Sequence, residues 1–110
     1  MNIYDTANNL AREIKESEEY KSYAQIKEKI SKTADKKAKL DEFEKMRYTI
    51  QLSAMQGKPE NNEQIKTLQE KYATLINDEE IREYFEKEMK FNIMMADINK
   101  IISEAVKDVI

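Results

Sequence analysis

The chain has 110 residues, of which 37% are charged, and it contains a single glycine and a single proline. Folds rich in hairpins need many turn residues, so this composition argues against an all-β protein and favours helices. The net charge of −3 gives no strong field that would recruit nucleic acid or an anionic membrane. We therefore predict an all-α protein with a single helical domain over residues 1–110.

Cysteine and histidine are both absent from the sequence. Their absence removes disulfides, thiolate nucleophiles and the commonest metal ligand, and no phosphate-binding loop or serine-hydrolase motif is present. Carboxylates recur at helical spacing, which is typical of solvated helix faces. We expect no catalytic residue, no cofactor and no metal site, and hence a non-enzymatic role.

Charged residues interrupt the first thirty positions at Asp5, Arg12, Glu13 and Lys15, so no secretory apolar segment is expected. The longest uncharged run, YTIQLSAMQG, is far shorter than the roughly 20 apolar residues of a membrane-spanning helix. These features indicate a cytoplasmic protein that makes no membrane contact.

Two helices are predicted in the first third of the chain, over residues 2–16 and from 18 to about 31. Ser17 lies between them and is placed to cap the second helix. The apolar residues of the first helix fall within an arc of roughly 120° at 100° per residue. This N-terminal stripe consists of Ile3, Tyr4, Ala7, Leu10, Ala11 and Ile14. In the second helix the residues expected to point inward are Tyr20, Tyr23, Ala24 and Ile30.

The third predicted helix, about 34–56, is apolar on two nearly opposite sides. Its first stripe consists of Leu40, Phe43, Met46, Ile50 and Ala54. Its second stripe consists of Tyr48, Leu52 and Met55. A helix of this kind is usually packed between two neighbours. Arg47 lies within the first stripe, where it either extends its head group to solvent or pairs with a carboxylate.

The only glycine and the only proline follow this helix, within MQGKPENNEQ. Gly57 suits a left-handed residue just past a helix end, and Pro59 prevents the helix from continuing. Asn61 and Gln64 are placed to form an N-cap and a capping box for a fourth helix. We interpret this segment as an interhelix turn rather than a phosphate-binding loop. The apolar residues of the fourth helix are Ile65, Leu68, Tyr72, Leu75 and Ile76.

The fifth predicted helix, about 79–108, is the longest, at roughly 45 Å. Its apolar face begins as one stripe and continues as a second, which is rotated by roughly 80° and spans about 140° without a polar residue. The first stripe consists of Ile81, Tyr84, Phe85 and Met89. The second, here called the C-terminal stripe, consists of Phe91, Met94, Met95, Ile98, Ile101, Ile102, Ala105, Val106 and Val109.

The C-terminal stripe adds more apolar surface than one small core readily covers, and contiguous patches of this kind are typical of association sites. We predict that it forms an oligomer interface, in a homodimer or a larger homo-oligomer or with a partner from a related chain. Met94 and Met95 suit an adaptable contact surface. The alternative is that the stripe lies inside the core of the chain.

A basic segment, KTADKKAKL, has four lysines, Lys32, Lys36, Lys37 and Lys39, close to a single aspartate, Asp35. Lysines in this arrangement can contact RNA phosphates or an acidic protein. No arginine or aromatic residue is interleaved with them to stack on bases. An RNA-associated accessory role is therefore the alternative hypothesis.

Three segments, NIYDTANNLAREIKESEEYKSY, MQGK and FNIMMADINKIISEAV, resemble the YlbF/YmcA family of small bacterial helical proteins. The resemblance covers nearly the whole chain and is closest to the YheA-type branch. It implies an all-α, five-helix fold that forms dimers or larger oligomers.

The resemblance also implies a regulatory or scaffolding role that depends on self-association. Better-studied relatives act in a cytoplasmic complex of three proteins that supports competence, sporulation and biofilm development and is linked to messenger RNA processing. Some of these relatives hold iron–sulfur clusters on cysteines. That property does not carry over to a chain without cysteine.

Overall fold

Five helices joined by short connections make up the fold, which the computed structural model describes over residues 2–110. The helices are α1 (Ile3–Glu16), α2 (Glu18–Ser31), α3 (Ala34–Met55), α4 (Asn62–Leu75) and α5 (Glu79–Val106). Residues 2–110 contain no strand. The predicted all-α, five-helix fold with two long helices is confirmed, and every predicted helix end lies within one turn of the observed end.

The connection between α1 and α2 is a single residue, Ser17, with an extended backbone (φ −68°, ψ 152°). Its hydroxyl accepts a hydrogen bond from the N–H of Tyr20 at 3.1 Å and donates one to the carbonyl of Ile14 at 2.6 Å. Ser17 therefore ends one helix and caps the next, which is the role of an N-cap serine.

The connection between α3 and α4 begins with a Schellman motif. Gly57 has φ 73°, its N–H donates to the carbonyl of Ala54 at 3.1 Å, and the N–H of Lys58 donates to that of Ser53 at 3.1 Å. These two bonds satisfy carbonyls that the helix end would otherwise leave without a partner. Pro59 follows directly, so the chain leaves the helix at this point.

The start of α4 is capped by the side chain of Asn61, which accepts a hydrogen bond from the N–H of Gln64 at 3.1 Å. This bond is the first half of the predicted capping box. The side chain of Gln64 does not return the second bond, so Asn61 alone caps the helix. At the start of α5, Asp78 performs the same task for the N–H groups of Glu80 and Ile81 at 2.9 and 3.3 Å.

The chain divides into two compact units. The central unit contains residues 28–83, and the terminal unit contains the described residues up to Lys27 together with those from Tyr84 onward. In the central unit α3 and α4 pack against each other, with the ring centroids of Phe43 and Tyr72 6.1 Å apart. Its buried apolar side chains are Ile30, Leu40, Phe43, Leu75 and Ile81.

The terminal unit has a much smaller core than the central unit. Among its described residues the buried apolar side chains are Ile26 and Tyr84. The helix pattern of α2 predicted Ala24 as inward, but Ala24 is exposed and Ile26, two positions further on, is buried. Ile26 lies one turn before the buried Ile30 on the same side of α2, whereas Ala24 lies about 200° around the helix from Ile26.

The expectation that α3 is packed on both sides is wrong. The second stripe of α3 is exposed, and Met55 retains 85% of its accessible surface. Within the central unit α4 packs against α3 on the side of Phe43, and the residues of the second stripe stay exposed. Arg47 adopts the second of the two arrangements left open for it, a pair with a carboxylate. Its guanidinium lies 3.9 Å from Glu44 and 5.5 Å from the ring centroid of Phe43.

Candidate protein-interaction site

The C-terminal stripe runs along α5 from half-buried to fully exposed positions. Phe91, Met94, Met95 and Ile98 are half-buried, and every later member is exposed. Ile101 retains 70% of its accessible surface. The later exposed members are Ile102, Ala105, Val106 and Val109, the last of which lies beyond the end of α5. The distal half of the stripe is thus an apolar surface that the chain itself does not cover.

Aromatic packing fixes the proximal end of this stripe against α2. The ring centroid of Phe91 lies 6.1 Å from that of Tyr20, in an edge-on arrangement, and 5.4 Å from that of Tyr23. Such pairs add to the stability that burial alone provides. The C-terminal stripe therefore begins at a side chain that is packed against α2.

A polar cluster next to this aromatic packing joins the same two helices. The hydroxyls of Tyr23 and Tyr84 lie 3.3 Å apart, and each lies 3.3 Å from Oε2 of Glu88. The ammonium of Lys27 lies 5.2 Å from the ring centroid of Tyr23. Since Tyr84 is buried, this network satisfies a hydroxyl that would otherwise be costly to remove from water.

Helix α1 presents a second uncovered apolar surface, the N-terminal stripe. No residue of α1 is buried, and Ile3 and Tyr4 retain 77% and 75% of their accessible surface. Only Leu10 and Ile14, toward the Ser17 end, are half-buried. An amphipathic helix with an exposed apolar side normally requires a partner surface.

A groove of about 550 Å³ lies between the first turns of α2 and the middle of α5. Its apolar floor is formed by Ile93, Met94 and Ile98. The rim on the α2 side has Glu18, Glu19 and Ser22, and the rim on the α5 side has Lys87, Lys90 and Asp97. We call this the α2–α5 groove. Its two rims differ in charge, since one is acidic and the other is mainly basic.

The lysines of the predicted basic contact face are mostly engaged with carboxylates. Lys36 lies 3.0 Å from Asp78 and 2.6 Å from Glu80. The other two ion pairs join neighbours on α3, Lys37 with Asp41 at 2.7 Å and Lys39 with Asp35 at 3.2 Å. Lys32 is exposed. Neighbouring carboxylates therefore balance most of the positive charge of this face.

The Lys36 cluster also shifts the ionisation of its members. Hydrogen bonds to Glu80 and then Asp78 raise the pKa of Lys36 above its ordinary value, and the bond from Lys36 lowers the pKa of Glu80. Burial alone would raise the pKa of Asp78, but the bonds from Lys36 and from the N–H of Ile81 outweigh it and lower that pKa. The cluster is thus most stable with all three groups charged.

The structure places the predicted site residues in separate regions. The interface residues lie in the terminal unit, whereas the basic face and the turn residues Gly57, Pro59, Asn61 and Gln64 lie in the central unit. The helix pattern did not identify the α2–α5 groove, because Ile93 lies outside the arc of the C-terminal stripe. Residues 2–110 contain no group of three or more acidic side chains suited to holding a metal ion, and none of their helices is long and apolar enough to cross a membrane.

These features define a small all-α protein with exposed apolar helix faces. The chain belongs to the family described as "Control of competence regulator ComK, YlbF/YmcA", which matches residues 3–107. The resemblance found in the sequence is therefore confirmed. The description of the family refers to the control of a regulator.

Relatives from several bacteria match almost the whole chain. The chain is 38% identical over 104 residues to the UPF0342 protein STH1710 of Symbiobacterium thermophilum, covering 94% of this chain and 93% of that protein. It is 36% identical over 105 residues to a UPF0342 protein of Caldicellulosiruptor saccharolyticus, covering 96% of this chain and 88% of that protein. It is also 29% identical over 109 residues to the UPF0342 protein SERP1381 of Staphylococcus epidermidis, covering 99% and 96%.

Proposed function

We propose that this chain is a non-enzymatic regulatory protein of the cytoplasm that acts by self-association and by contacts with other proteins. The observation that carries this proposal is the exposed distal half of the C-terminal stripe, from Ile101 to Val109. Covering apolar surface stabilises a complex by about 25 cal/mol per Å² before the costs of association are subtracted. A surface of this kind therefore favours a bound partner.

The small core of the terminal unit supports self-association in particular. Its described residues bury two apolar side chains, Ile26 and Tyr84, while α1 and the distal part of α5 leave theirs exposed. A second copy would supply the missing cover, because the same surface is present on each chain and two-fold interfaces pair identical surfaces.

The family description supports the regulatory part of the proposal. A protein that controls a regulator without chemistry of its own has to act through binding, and the C-terminal stripe supplies a surface for it. A partner from the same family could use the same stripe. The RNA-associated role stays a prediction, and the ion pairs of Lys36, Lys37 and Lys39 give it no specific support.

The test is the substitution Ile101→Glu, with Ser103→Glu as the matched control. Both positions are exposed on α5, and they lie about 200° apart around the helix, so only Ile101 belongs to the stripe. Burying an ionised carboxylate in an apolar interface is strongly unfavourable. We expect Ile101→Glu to raise the dissociation constant of the oligomer at least about tenfold, from the loss of about 1.4 kcal/mol or more.

Sedimentation velocity over a range of concentrations measures this difference, and circular dichroism checks that both variants stay helical. We expect Ser103→Glu to associate as the unmodified chain does. If Ile101→Glu keeps its helicity and has the same dissociation constant as Ser103→Glu, the C-terminal stripe is not the interface.

A further inference from the structure

We propose that the N-terminal stripe of α1 docks into the α2–α5 groove of a second copy of this chain. The inference rests on the proposed self-association and names the contact that completes it. The apolar surface of α1 is then the ligand, and the groove floor of Ile93, Met94 and Ile98 is its receptor.

Helix α1 has the pattern of a groove-binding helix. Ile3, Ala7, Leu10 and Ile14 recur at intervals of three and four residues along one side, and none of them is buried. Amphipathic helices that bind grooves use anchors at this spacing. The small side chain of Ala7 in the middle of the row allows a close approach to the groove floor.

The chain cannot place α1 in its own groove. Ser17 is the only residue between α1 and α2, and its backbone is extended. Two helices need a loop of about 2–5 residues to fold back antiparallel on each other. The groove begins at Glu18, directly after this connection, and no residue of α1 lines it. The short connection therefore keeps α1 out of the groove of its own chain and leaves its stripe available to a second copy, as in domain-swapped dimers.

The dimensions of the two surfaces match. The N-terminal stripe runs from Ile3 to Ile14, and the groove runs along α5 from Lys87 to Ile98. Each interval covers the same number of residues, which at 1.5 Å per residue is roughly 16 Å. The docked helix would fill the groove from one end to the other.

The charges along the edges also match. Around α1, Lys15 and then Arg12 follow one edge of the stripe, and Glu13 lies beyond the other edge. The groove has acidic side chains on the α2 rim, and its α5 rim has Lys87 and Lys90 with one carboxylate, Asp97. In one of the two possible directions of α1, opposite charges meet along both edges, and in the other direction like charges meet. The charges therefore select a single docking direction.

The groove is continuous with the proposed interface, because Met94 and Ile98 belong both to its floor and to the C-terminal stripe. A fully buried aliphatic side chain removes on the order of 100 Å² of apolar surface from water. At that scale the exposed apolar side chains of α1 and distal α5 offer about 600 Å² per chain, whereas a stable interface buries about 800 Å² per partner. Docking of two α1 helices together with the distal part of the C-terminal stripe and polar rim contacts therefore approaches the size of a dimer interface.

Disulfide formation between two single-cysteine chains tests the docking, since the natural sequence has no cysteine. One full-length chain carries Ala7→Cys and the other carries Ile93→Cys together with a mass tag. The two are mixed, allowed to exchange by dilution and reconcentration, and oxidised with copper–phenanthroline. The control replaces the first chain by Asn9→Cys, on the opposite side of α1.

We expect the mixed disulfide of Ala7→Cys with Ile93→Cys to form at least tenfold faster than that of the control pair. Equal rates in a sample that sedimentation velocity shows to be dimeric would overturn the docking and leave the proposed self-association standing. A monomer at all concentrations would overturn both.

A charge exchange gives a second test that does not depend on cysteine placement. Glu13→Lys alone, or Lys87→Glu with Lys90→Glu, is expected to raise the dissociation constant of the dimer about twofold to fivefold, the size of effect typical of exposed ion pairs. The three changes together restore opposite charges, so the dissociation constant returns to within about twofold of its original value. If the losses of binding free energy simply add in the combined variant, the proposed docking is contradicted.

Discussion

At the scale of single residues, Gly57 shows how one backbone position ends a helix. Its φ of 73° lies in the left-handed region, and a Cβ added there would meet no atom within 4 Å. The left-handed conformation costs a residue with a side chain about 1–2 kcal/mol. We therefore expect Gly57→Ala to lower the free energy of unfolding by about 1–2 kcal/mol, measured by urea denaturation.

Asparagine tolerates this conformation better than alanine, so Gly57→Asn is the control and should lose less stability. An added Cβ meets no atom within 4 Å beyond its own chain neighbours, so the cost in the alanine variant comes from the local backbone conformation. An alanine variant as stable as the unmodified chain would show that the turn relaxes out of the left-handed region.

Lys36 and its two carboxylate partners contribute to the pH dependence of the free energy of unfolding. The carboxylates of Asp78 and Glu80 have pKa values below their ordinary 3.8 and 4.5, so their contribution is present above those values and is lost as pH falls through the lowered ones. The pKa of Lys36 lies above 10.5, so its contribution is present below pH 10.5 and is lost as pH rises through the raised value. We expect Lys36→Met to be less stable at pH 7.

This difference in stability between Lys36→Met and the unmodified chain should be largest between about pH 5 and 10 and should narrow toward both extremes. Urea midpoints measured across this range test it. Lys37→Met is the control, because Lys37 pairs only with Asp41 one turn along the same helix. If the loss of stability in Lys36→Met does not change with pH, packing of the aliphatic part of Lys36, rather than its charge, is responsible.

At the scale of the helices, stability depends on the core of the central unit. Leu40 on α3 is buried, whereas Ile101 on α5 is exposed. Truncating a buried leucine costs about 2–5 kcal/mol, and truncating an exposed side chain usually changes stability by less than about 0.5 kcal/mol. We expect this contrast between Leu40→Ala and Ile101→Ala in urea denaturation at concentrations where the chain is monomeric. Equal losses would place Ile101 inside a folded core.

The helix bounds were predictable because local residues determine them. Ser17, Asp78 and the Gly57 turn each satisfy backbone groups at a helix end, and their side-chain types indicate this in the sequence. The periodicity of apolar residues also showed which residues share a face of each helix. Both signals depend on positions a few residues apart.

Burial was less predictable, because periodicity does not say whether a neighbour covers a face. The second stripe of α3 has the spacing of a core face, yet its residues are exposed. In α2, the buried side passes through Ile26 and Ile30, which lie one turn apart, whereas Ala24 lies about 200° around the helix from Ile26. The α2–α5 groove combines Glu18 and Lys87, which are far apart in the sequence, so only the folded chain brings its two rims together.

At the scale of the whole molecule, the two units differ in how many apolar side chains they bury. The central unit buries apolar side chains from α2, α3, α4 and α5, whereas α1 in the terminal unit buries none. A chain of this size has little apolar area to spare if it is to be stable alone. We therefore propose that another copy completes the apolar core of the terminal unit.

The mass of the unmodified protein in solution tests this proposal most directly. The chain has a mass of 13.0 kDa, and sedimentation velocity between low and high micromolar concentrations resolves a monomer from a dimer. We predict a species of at least twice 13.0 kDa that dissociates on dilution. A single species of 13.0 kDa throughout this range, with full helicity, would contradict the proposed self-association.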